Sequence, residues 1–107
     1  MTAIGTVPLD GASASAATLV HLSGDIDILT TTRLRRRLLG ILDHSTSLFV
    51  LDMSEVTFFG AGGLGVLVGV QGRAQAQGIT LALTGLTPPV ARLLRITGLD
   101  CHFPIVV

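Results

Sequence analysis

A glycine-rich string in the middle of the chain, GAGGLG at residues 60–65, has the spacing of a phosphate-binding loop. It satisfies the G-x-G-x-x-G pattern, whose glycines let the backbone approach a pyrophosphate where a helix begins. A dinucleotide site also requires the glycines to follow a strand at once, and an acidic residue about 20 residues later. Here residues 54–59 are expected to separate the strand from the first glycine, and the next strand, residues 79–83, carries no Asp or Glu. The pattern therefore favours a tight turn that packs a helix against a sheet over a nucleotide site.

The remaining nucleophilic and metal-ligating residue types are scattered. The three histidines, His21, His44 and His102, share no short spacing of the kind that assembles a metal site. Cys101 is adjacent to His102, but neighbouring side chains on an extended chain point to opposite faces, so the two do not form a nucleophile and base pair. The sequence therefore predicts no enzyme, no metal site and no cofactor.

Two carboxylates precede the first predicted helix. Asp25 and Asp27 are two residues apart and share one side of an extended chain. They are expected either to accept hydrogen bonds from the free N–H groups of that helix start or to form a charged rim for a docking partner. Four arginines follow in the first predicted helix: Arg33, Arg35, Arg36 and Arg37. They are expected either to form a solvated face of this helix or to complement the charge of an acidic partner.

The elements that position these residues follow from apolar periodicity. An edge strand around residues 7–9 lies in an otherwise loosely ordered stretch at residues 1–16, and Gly24 is expected to end the first full strand. The order β(β)αβαβαβ predicts a single α/β domain with a mostly parallel mixed β-sheet and right-handed crossovers. Strands are predicted at residues 17–23, 48–53, 79–83 and 103–107, and helices at residues 29–42, 64–77 and 87–98.

Length and composition restrict the class of protein. The chain has 107 residues, enough for one domain, with 7 basic and 7 acidic side chains. Because only 13% of the residues are charged, it lacks the basic surface of a nucleic-acid-binding protein. A single cysteine and no recognisable signal peptide predict a cytoplasmic location. The uncharged stretch at residues 56–72 contains six glycines, so we expect no membrane span.

The helix after the glycines is apolar on more than one side. Leu64, Leu67 and Val68 are expected to form its core stripe, which leaves Val66 and Val70 on an outer flank. Either neighbouring helices cover that flank or another protein does, since exposed apolar patches are docking surfaces. This pattern favours binding over catalysis.

Four segments carry a family resemblance: LSGDID at residues 22–27, FVLDMSEVTFF at 49–59, GLGVLV at 63–68 and TPPVARLLRITG at 87–98. With them the chain resembles a STAS domain of the anti-sigma factor antagonist family, from about residue 9 onward. The resemblance implies one STAS domain over residues 1–107 and a switch that is not an enzyme. Its implied partner is an anti-sigma factor that is also a serine kinase with a histidine-kinase-like ATPase fold. In the family, phosphorylation of a Ser or Thr at the start of the helix after the third strand ends the complex.

The chain departs from the family pattern at that position. Aligning GLG at residues 63–65 places Gly60 where the family has Asp, and Ala61, which has no hydroxyl, at the phosphoacceptor. Regulation by phosphorylation at Ala61 is therefore excluded. The resemblance and the apolar flank together predict a partner-binding surface at Asp25, Asp27, Gly60, Ala61, Gly62, Gly63, Leu64, Val66 and Val70.

Three further expectations remain open. The chain ends after the last predicted strand, where the family usually continues into another helix, so one face of the sheet is expected to be undercovered. A truncated chain, a shorter natural variant or pairing with a second chain, such as a copy in a homodimer, would each account for this. The domain could also act as a scaffold or regulatory module of a larger signalling assembly. A small nucleotide-binding domain that uses residues 60–65 is the third alternative.

Overall fold

The computed structural model describes residues 3–8, 17–27, 30–43 and 47–106. The predictions for residues 9–16, for His44 and its turn at 44–46, and for Val107 lie outside these residues. The elements follow the predicted order, with a short 3-10 turn at Leu99–Cys101: β1 (Ala3–Pro8), β2 (Ala17–Ile26), α1 (Thr31–Leu42), β3 (Leu48–Phe59), α2 (Ala61–Ala76), β4 (Thr80–Thr84), α3 (Pro88–Ile96) and β5 (Ile105–Val106).

The strands form one mixed sheet in the order β1-β2-β3-β4-β5. β1 runs antiparallel to β2, and the remaining neighbours are parallel, each pair joined through a helix. Val20 lies opposite Leu51, which in turn lies opposite Leu83, so the three apolar side chains share one face of the sheet. The mostly parallel mixed sheet with alternating helices is therefore confirmed.

The core lies between that sheet face and the helices. On α1, Leu34, Leu38 and Leu42 are buried, and Ile41 is partly buried and packs against the core. Gly98, the last residue of the predicted third helix, lies just beyond α3 with a left-handed φ of 75°, which favours glycine. No helix in the described ranges is long and apolar enough to cross a bilayer.

The predicted ends of several strands were wrong. β2 continues through Gly24 to Ile26, and β3 continues through the polar residues after Met53 to Phe59. The two extensions pair with each other, as Gly24 with Val56 and Ile26 with Phe59, so backbone hydrogen bonds continue the sheet where the apolar run ends. β1 also starts earlier than predicted, while β5 covers only two residues.

The rotation of α2 was also predicted wrongly. Val66 and Val70, expected on an outer flank, are 1% and 0% exposed and lie in the core. Val68, expected in the core stripe, is 46% exposed. The buried stripe is Gly63, Val66, Leu67, Val70 and Ala74, which is one face at helical spacing.

Candidate partner-binding site

Residues distant in sequence meet at the carboxyl ends of β2 and β3. The Thr57 hydroxyl donates to Asp25 Oδ1 over 2.5 Å, and the Gly60 N–H donates to the Ile26 carbonyl over 3.4 Å. These bonds join the acidic end of β2 to the start of α2. The structure therefore brings Asp25 and the glycine string to the same end of the sheet, as the predicted binding surface requires.

A β-bulge positions the threonine. Gly24 of β2 pairs with Val56 of β3, and the next residue, Asp25, pairs with Phe58. Thr57, which lies between Val56 and Phe58 on β3, therefore has no paired residue on β2. An extra residue of this kind bends its strand and changes the direction of its side chain. The result is an exposed Thr57 hydroxyl directed at the Asp25 carboxylate.

Asp27 instead forms hydrogen bonds with Thr30, the residue that precedes α1. Its N–H donates to Thr30 Oγ1 over 3.1 Å, and its Oδ1 accepts from the Thr30 N–H over 3.3 Å. This reciprocal pair holds the residue that precedes the helix. Of the two predicted roles of the carboxylates, hydrogen bonding at the helix start is therefore confirmed for Asp27, whereas Asp25 bonds to Thr57.

The glycine string forms the beginning of α2. Gly60 is the extended residue before the helix, and Ala61 is its first residue and is exposed. No side chain caps this end of α2, and its first turn carries no acidic residue. Gly62 and Leu64 are half-buried, and Leu64 packs against the core. The surface offered here is thus backbone N–H groups and one methyl group.

Gly63 lets α2 approach β3 closely. A Cβ atom at this position would lie 2.6 Å from Cε2 of the Phe59 ring, closer than real contacts allow. Gly63→Ala should therefore lower the free energy of unfolding by about 1 to 3 kcal/mol, because the ring or the helix must shift. Urea denaturation measures this change.

The matched control is Gly65→Ala, in the same turn of α2. Nothing lies within 4 Å of a Cβ atom there, so the variant should keep or raise stability, by up to about 1 kcal/mol, through higher helix propensity. Equal stability changes in the two variants would contradict the close approach at Gly63.

One argument against a nucleotide site does not hold in the structure. β3 runs to Phe59, so Gly60 follows the strand at once, contrary to the expected gap of six residues. The other argument remains, since β4 (Thr80–Thr84) carries no carboxylate to hold a ribose. In addition, β3 is the third strand along the chain, whereas the glycines of a dinucleotide site follow the first strand.

Two exposed apolar side chains near this end were not predicted. Phe58 is 54% exposed, beside the Thr57 bulge, and Val68 is 46% exposed on α2. The sequence signal for Phe58 was the pair of adjacent phenylalanines, because successive side chains on a strand point to opposite faces and only Phe59 packs against the core.

A hydrogen-bonded pair of side chains between β2 and β3 was also missed. His21 Nδ1 lies 2.9 Å from Asp52 Oδ2, and the Ser54 N–H donates to Asp52 Oδ1 over 2.9 Å. Partial burial alone would raise the pKa of the Asp52 carboxyl, but the hydrogen bonds from Ser54 and the neighbouring His21 outweigh it and hold this pKa below its usual 3.8. The pair becomes visible only once the strands are aligned, with His21 opposite Asp52.

The lowered pKa of Asp52 predicts a pH dependence of stability. A carboxyl whose pKa is lower in the folded state contributes stability that is present above the unfolded pKa, near pH 4, and is lost as the pH falls through the folded pKa. Asp52→Asn should therefore be less stable than the original chain at pH 7, with the difference shrinking below about pH 4. Urea unfolding from pH 7 to acid measures both chains, and a constant difference would contradict the assignment.

No group of three or more His, Cys, Asp or Glu side chains in the described part of the chain is placed to hold a metal ion. His21 lies on β2, whereas His102 lies in the connection between the 3-10 turn and β5, the edge strand beyond β4. What the site offers is hydrogen-bonded carboxylates, backbone N–H groups and exposed apolar side chains. Such groups can bind a protein surface.

Comparison with known proteins agrees with this geometry. Residues 10–107 match the family model described as "Mlab, STAS domain". The chain is 32% identical over 80 residues to the anti-sigma-B factor antagonist of Bacillus subtilis, an alignment that covers 75% of this chain and 72% of that protein. It is also 32% identical over 88 residues to the anti-sigma F factor antagonist of Paenibacillus polymyxa, with 81% and 75% covered.

Solved structures of anti-sigma factor antagonists are also similar to this chain. An anti-sigma factor antagonist from Mycobacterium paratuberculosis superposes with a TM-score of 0.79 at 26% identity, over 98% of this chain and 85% of that chain. The Bacillus cell fate determinant SpoIIAA in its phosphorylated form shares the fold, with a TM-score of 0.72 at 14% identity over 98% of this chain and 92% of that chain. The chain therefore belongs to the STAS domain family of anti-sigma factor antagonists.

Proposed function

We propose that this chain binds a kinase-type anti-sigma factor, one with a histidine-kinase-like ATPase fold, and that phosphorylation does not release it. Binding an anti-sigma factor frees a sigma factor for transcription, so the chain would act as a regulator without catalysis of its own. The binding surface, called here the partner face, lies at the carboxyl ends of β2 and β3 and along the start of α2. It comprises Asp25, Asp27, Phe58, Gly60, Ala61, Gly62, the backbone at Gly63, Leu64 and Val68.

The observation that carries the proposal is Ala61. It is exposed and is the first residue of α2, where relatives with a hydroxyl would present it to a kinase. A methyl group cannot accept a phosphoryl group. The partner face therefore stays unphosphorylated at position 61 in the presence of ATP.

The nearest threonine is a poor substitute for the missing acceptor. The Thr57 hydroxyl is already hydrogen-bonded to Asp25 and lies on β3, not at the start of a helix. A phosphate there would place about two negative charges against the Asp25 carboxylate, which disfavours it. This geometry supports a chain without a phosphorylation switch at the partner face.

The test uses the intact chain as bait for a lysate of the source bacterium, followed by purification of the ATPase that it captures. The purified pair is then incubated with Mg-ATP. We expect the complex to persist and mass spectrometry to find no phosphate on this chain. Phosphorylation with dissociation would overturn the proposal, and capture of a signalling assembly without such an ATPase would favour the scaffold alternative.

The apolar part of the partner face can be tested separately. Phe58→Ser should weaken binding of the captured partner about tenfold or more, because an exposed aromatic side chain at the centre of an interface contributes strongly to affinity. Surface plasmon resonance or calorimetry measures the loss.

Ile96→Ser is the matched control for this variant. Ile96 is 73% exposed but is the last residue of α3, away from the helix start at the partner face. It should bind as the original chain does. Equal losses in the two variants would place the interface elsewhere.

A further inference from the structure

The first half of α1 carries a cluster of unbalanced positive charge. Four of the seven basic side chains of the chain lie here, and all four are exposed: Arg33, Arg35, Arg36 and Arg37. α1 itself contains no acidic residue. The ion pairs among the described residues join His21 with Asp52 and Arg73 with Asp43. None of the four guanidinium groups therefore has a carboxylate partner in the described part of the chain.

This arrangement lowers the stability of the helix that carries it. Arg33 lies in the first turn of α1, where a positive charge opposes the helix dipole. It is also three residues from Arg36 and four from Arg37, the spacings at which like charges on a helix repel each other. Local arrangements that lower stability without a compensating contact are typical of functional surfaces. The cluster therefore indicates a surface that receives negative charge from another molecule.

Beside the arginines, the outer face of α2 is flat. The two helices lie side by side, since Gln77 Nε2 donates to Asp43 Oδ1 over 3.0 Å. Gly69 and Gly72 are exposed on α2, and a Cβ atom at Gly69 would lie 3.9 Å from Arg35 Nε. The Arg35 side chain thus borders a stretch of helix that has no side chains. Such a surface lets the backbone of another helix approach closely.

We propose that α1 and this part of α2 dock an acidic α-helix of a partner protein. The docking surface, called here the arginine face, comprises Arg33, Arg35, Arg36, Arg37, Gly69 and Gly72. Its guanidinium groups donate to carboxylates of the partner helix, which are spaced three or four residues apart, as the arginines themselves are. The two glycines admit the backbone of that helix.

Other sources of negative charge fit the arginine face less well. A nucleic acid is held by many phosphate contacts, whereas this chain has no net charge. A helix that binds a bilayer surface inserts large apolar side chains, and none on α1 is exposed. A second copy would offer Asp25 and Asp27, which lie at the end of a strand and not on a helix. The arginine face shares no residue with the partner face, so this proposal and the proposed function can fail separately.

The probe is a synthetic helical peptide of about 20 residues, made of Ala, Leu and Glu, with its glutamates three and four residues apart on one side. It is titrated into the intact chain at about 10 mM salt, where charges are weakly screened, and followed by NMR. We expect a dissociation constant on the order of 100 μM and about tenfold weaker binding at about 0.5 M salt. The peptide with Gln in place of every Glu keeps its length and loses its charge, and it should not bind.

Two pairs of substitutions separate this surface from net charge. Arg33→Gln with Arg36→Gln should weaken peptide binding about fivefold or more, because two of the donors are lost. The same variant should raise the Tm by about 2 to 5 °C, because it removes the repulsion and the unfavourable dipole contact. Arg92→Gln with Arg95→Gln is the matched control, with the same charge and spacing at exposed positions of α3. It should weaken binding by less than about twofold and leave the Tm unchanged or lower, since Arg95 lies in the last turn, where the dipole favours a positive charge.

Gly69→Leu tests whether the peptide helix lies against α2. Only Arg35 Nε lies within 4 Å of a Cβ atom at this position, so the variant should fold, which circular dichroism checks. Its side chain would occupy the space of the approaching helix. Binding should fall about fivefold or more, although every arginine is retained.

Several results would overturn the proposal. Equal losses of binding in the two arginine pairs, or a lower Tm for Arg33→Gln with Arg36→Gln, would show that the cluster is not a strained docking surface. Unchanged binding in Gly69→Leu, or equal binding of the uncharged peptide, would contradict the docked acidic helix. Binding of phosphatidylglycerol vesicles without binding of the peptide would assign the arginines to a membrane surface. Self-association of the chain in sedimentation, lost in Arg33→Gln with Arg36→Gln, would assign them to a second copy.

Discussion

Val70→Asp should leave the chain unfolded at 25 °C, whereas Val68→Asp, half a turn away on α2, should fold. Val70 is completely buried and Val68 is 46% exposed. A carboxylate without a partner in the core costs several kcal/mol, or becomes protonated at a similar cost. Because domains of this size are stable by only about 5 to 15 kcal/mol, one such change removes most of the stability. Circular dichroism and urea unfolding report the outcome.

Further substitutions separate charge from volume. Val66→Asp should behave as Val70→Asp does, since Val66 is 1% exposed. Val70→Ala should fold, with a loss of about 2 kcal/mol from the cavity that it leaves. If Val70→Asp were as stable as Val68→Asp, the orientation of α2 described above would be wrong.

This pair of substitutions also shows why the sequence predicted the existence of α2 but not its rotation. Apolar residues occupy both of its possible stripes, so periodicity gives no preferred side. The observed rotation requires a residue without a Cβ at position 63, because a Cβ there would lie 2.6 Å from the Phe59 ring. That contact depends on where β3 ends, which the sequence also predicted incorrectly.

For the strands, too, the sequence predicted that the elements exist but not where they end. The apolar runs and their alternation with helices predicted the sheet and its mostly parallel pairing, because strands joined through helices pair in parallel, but not the order of the strands within the sheet. They could not predict the paired extensions of β2 and β3, where Gly24 lies opposite Val56, although Ile26 and Val56 within them are buried in the core. These positions are stabilised by backbone hydrogen bonds to a neighbouring strand, a contact that local composition does not encode.

The same distinction applies to the candidate site. The bond between Asp27 and Thr30 joins residues three apart, and a role at the helix start was predictable from a carboxylate before a helix. The bond between Thr57 and Asp25 spans 32 residues and depends on the bulge, so nothing in the local sequence indicated it. Family resemblance located this end of the sheet, and the structure added the contacts within it.

The proposed function predicts that a phosphorylation switch can be introduced. The double substitution Gly60→Asp with Ala61→Ser restores the acidic residue and the hydroxyl of the family pattern at the start of α2. With the captured anti-sigma kinase and Mg-ATP, Ser at position 61 should become phosphorylated and the complex should dissociate. A Cβ at Gly60 lies 3.2 Å from the Phe58 ring, which is exposed and can shift to admit it.

The size of this effect follows from charge. Phosphorylation adds about 1.5 to 2 negative charges, next to Asp25 and Asp27, to a surface that binds its partner in the unphosphorylated form. An uncompensated charge of this kind in an interface should weaken binding about a hundredfold, or roughly 2.7 kcal/mol. Gly60→Asp alone is the control, because it adds the carboxylate without a hydroxyl and should stay bound in ATP. If the double variant took up phosphate and still bound fully, the start of α2 would lie outside the interface. If the kinase left it unmodified, position 61 would not be the position presented to the kinase.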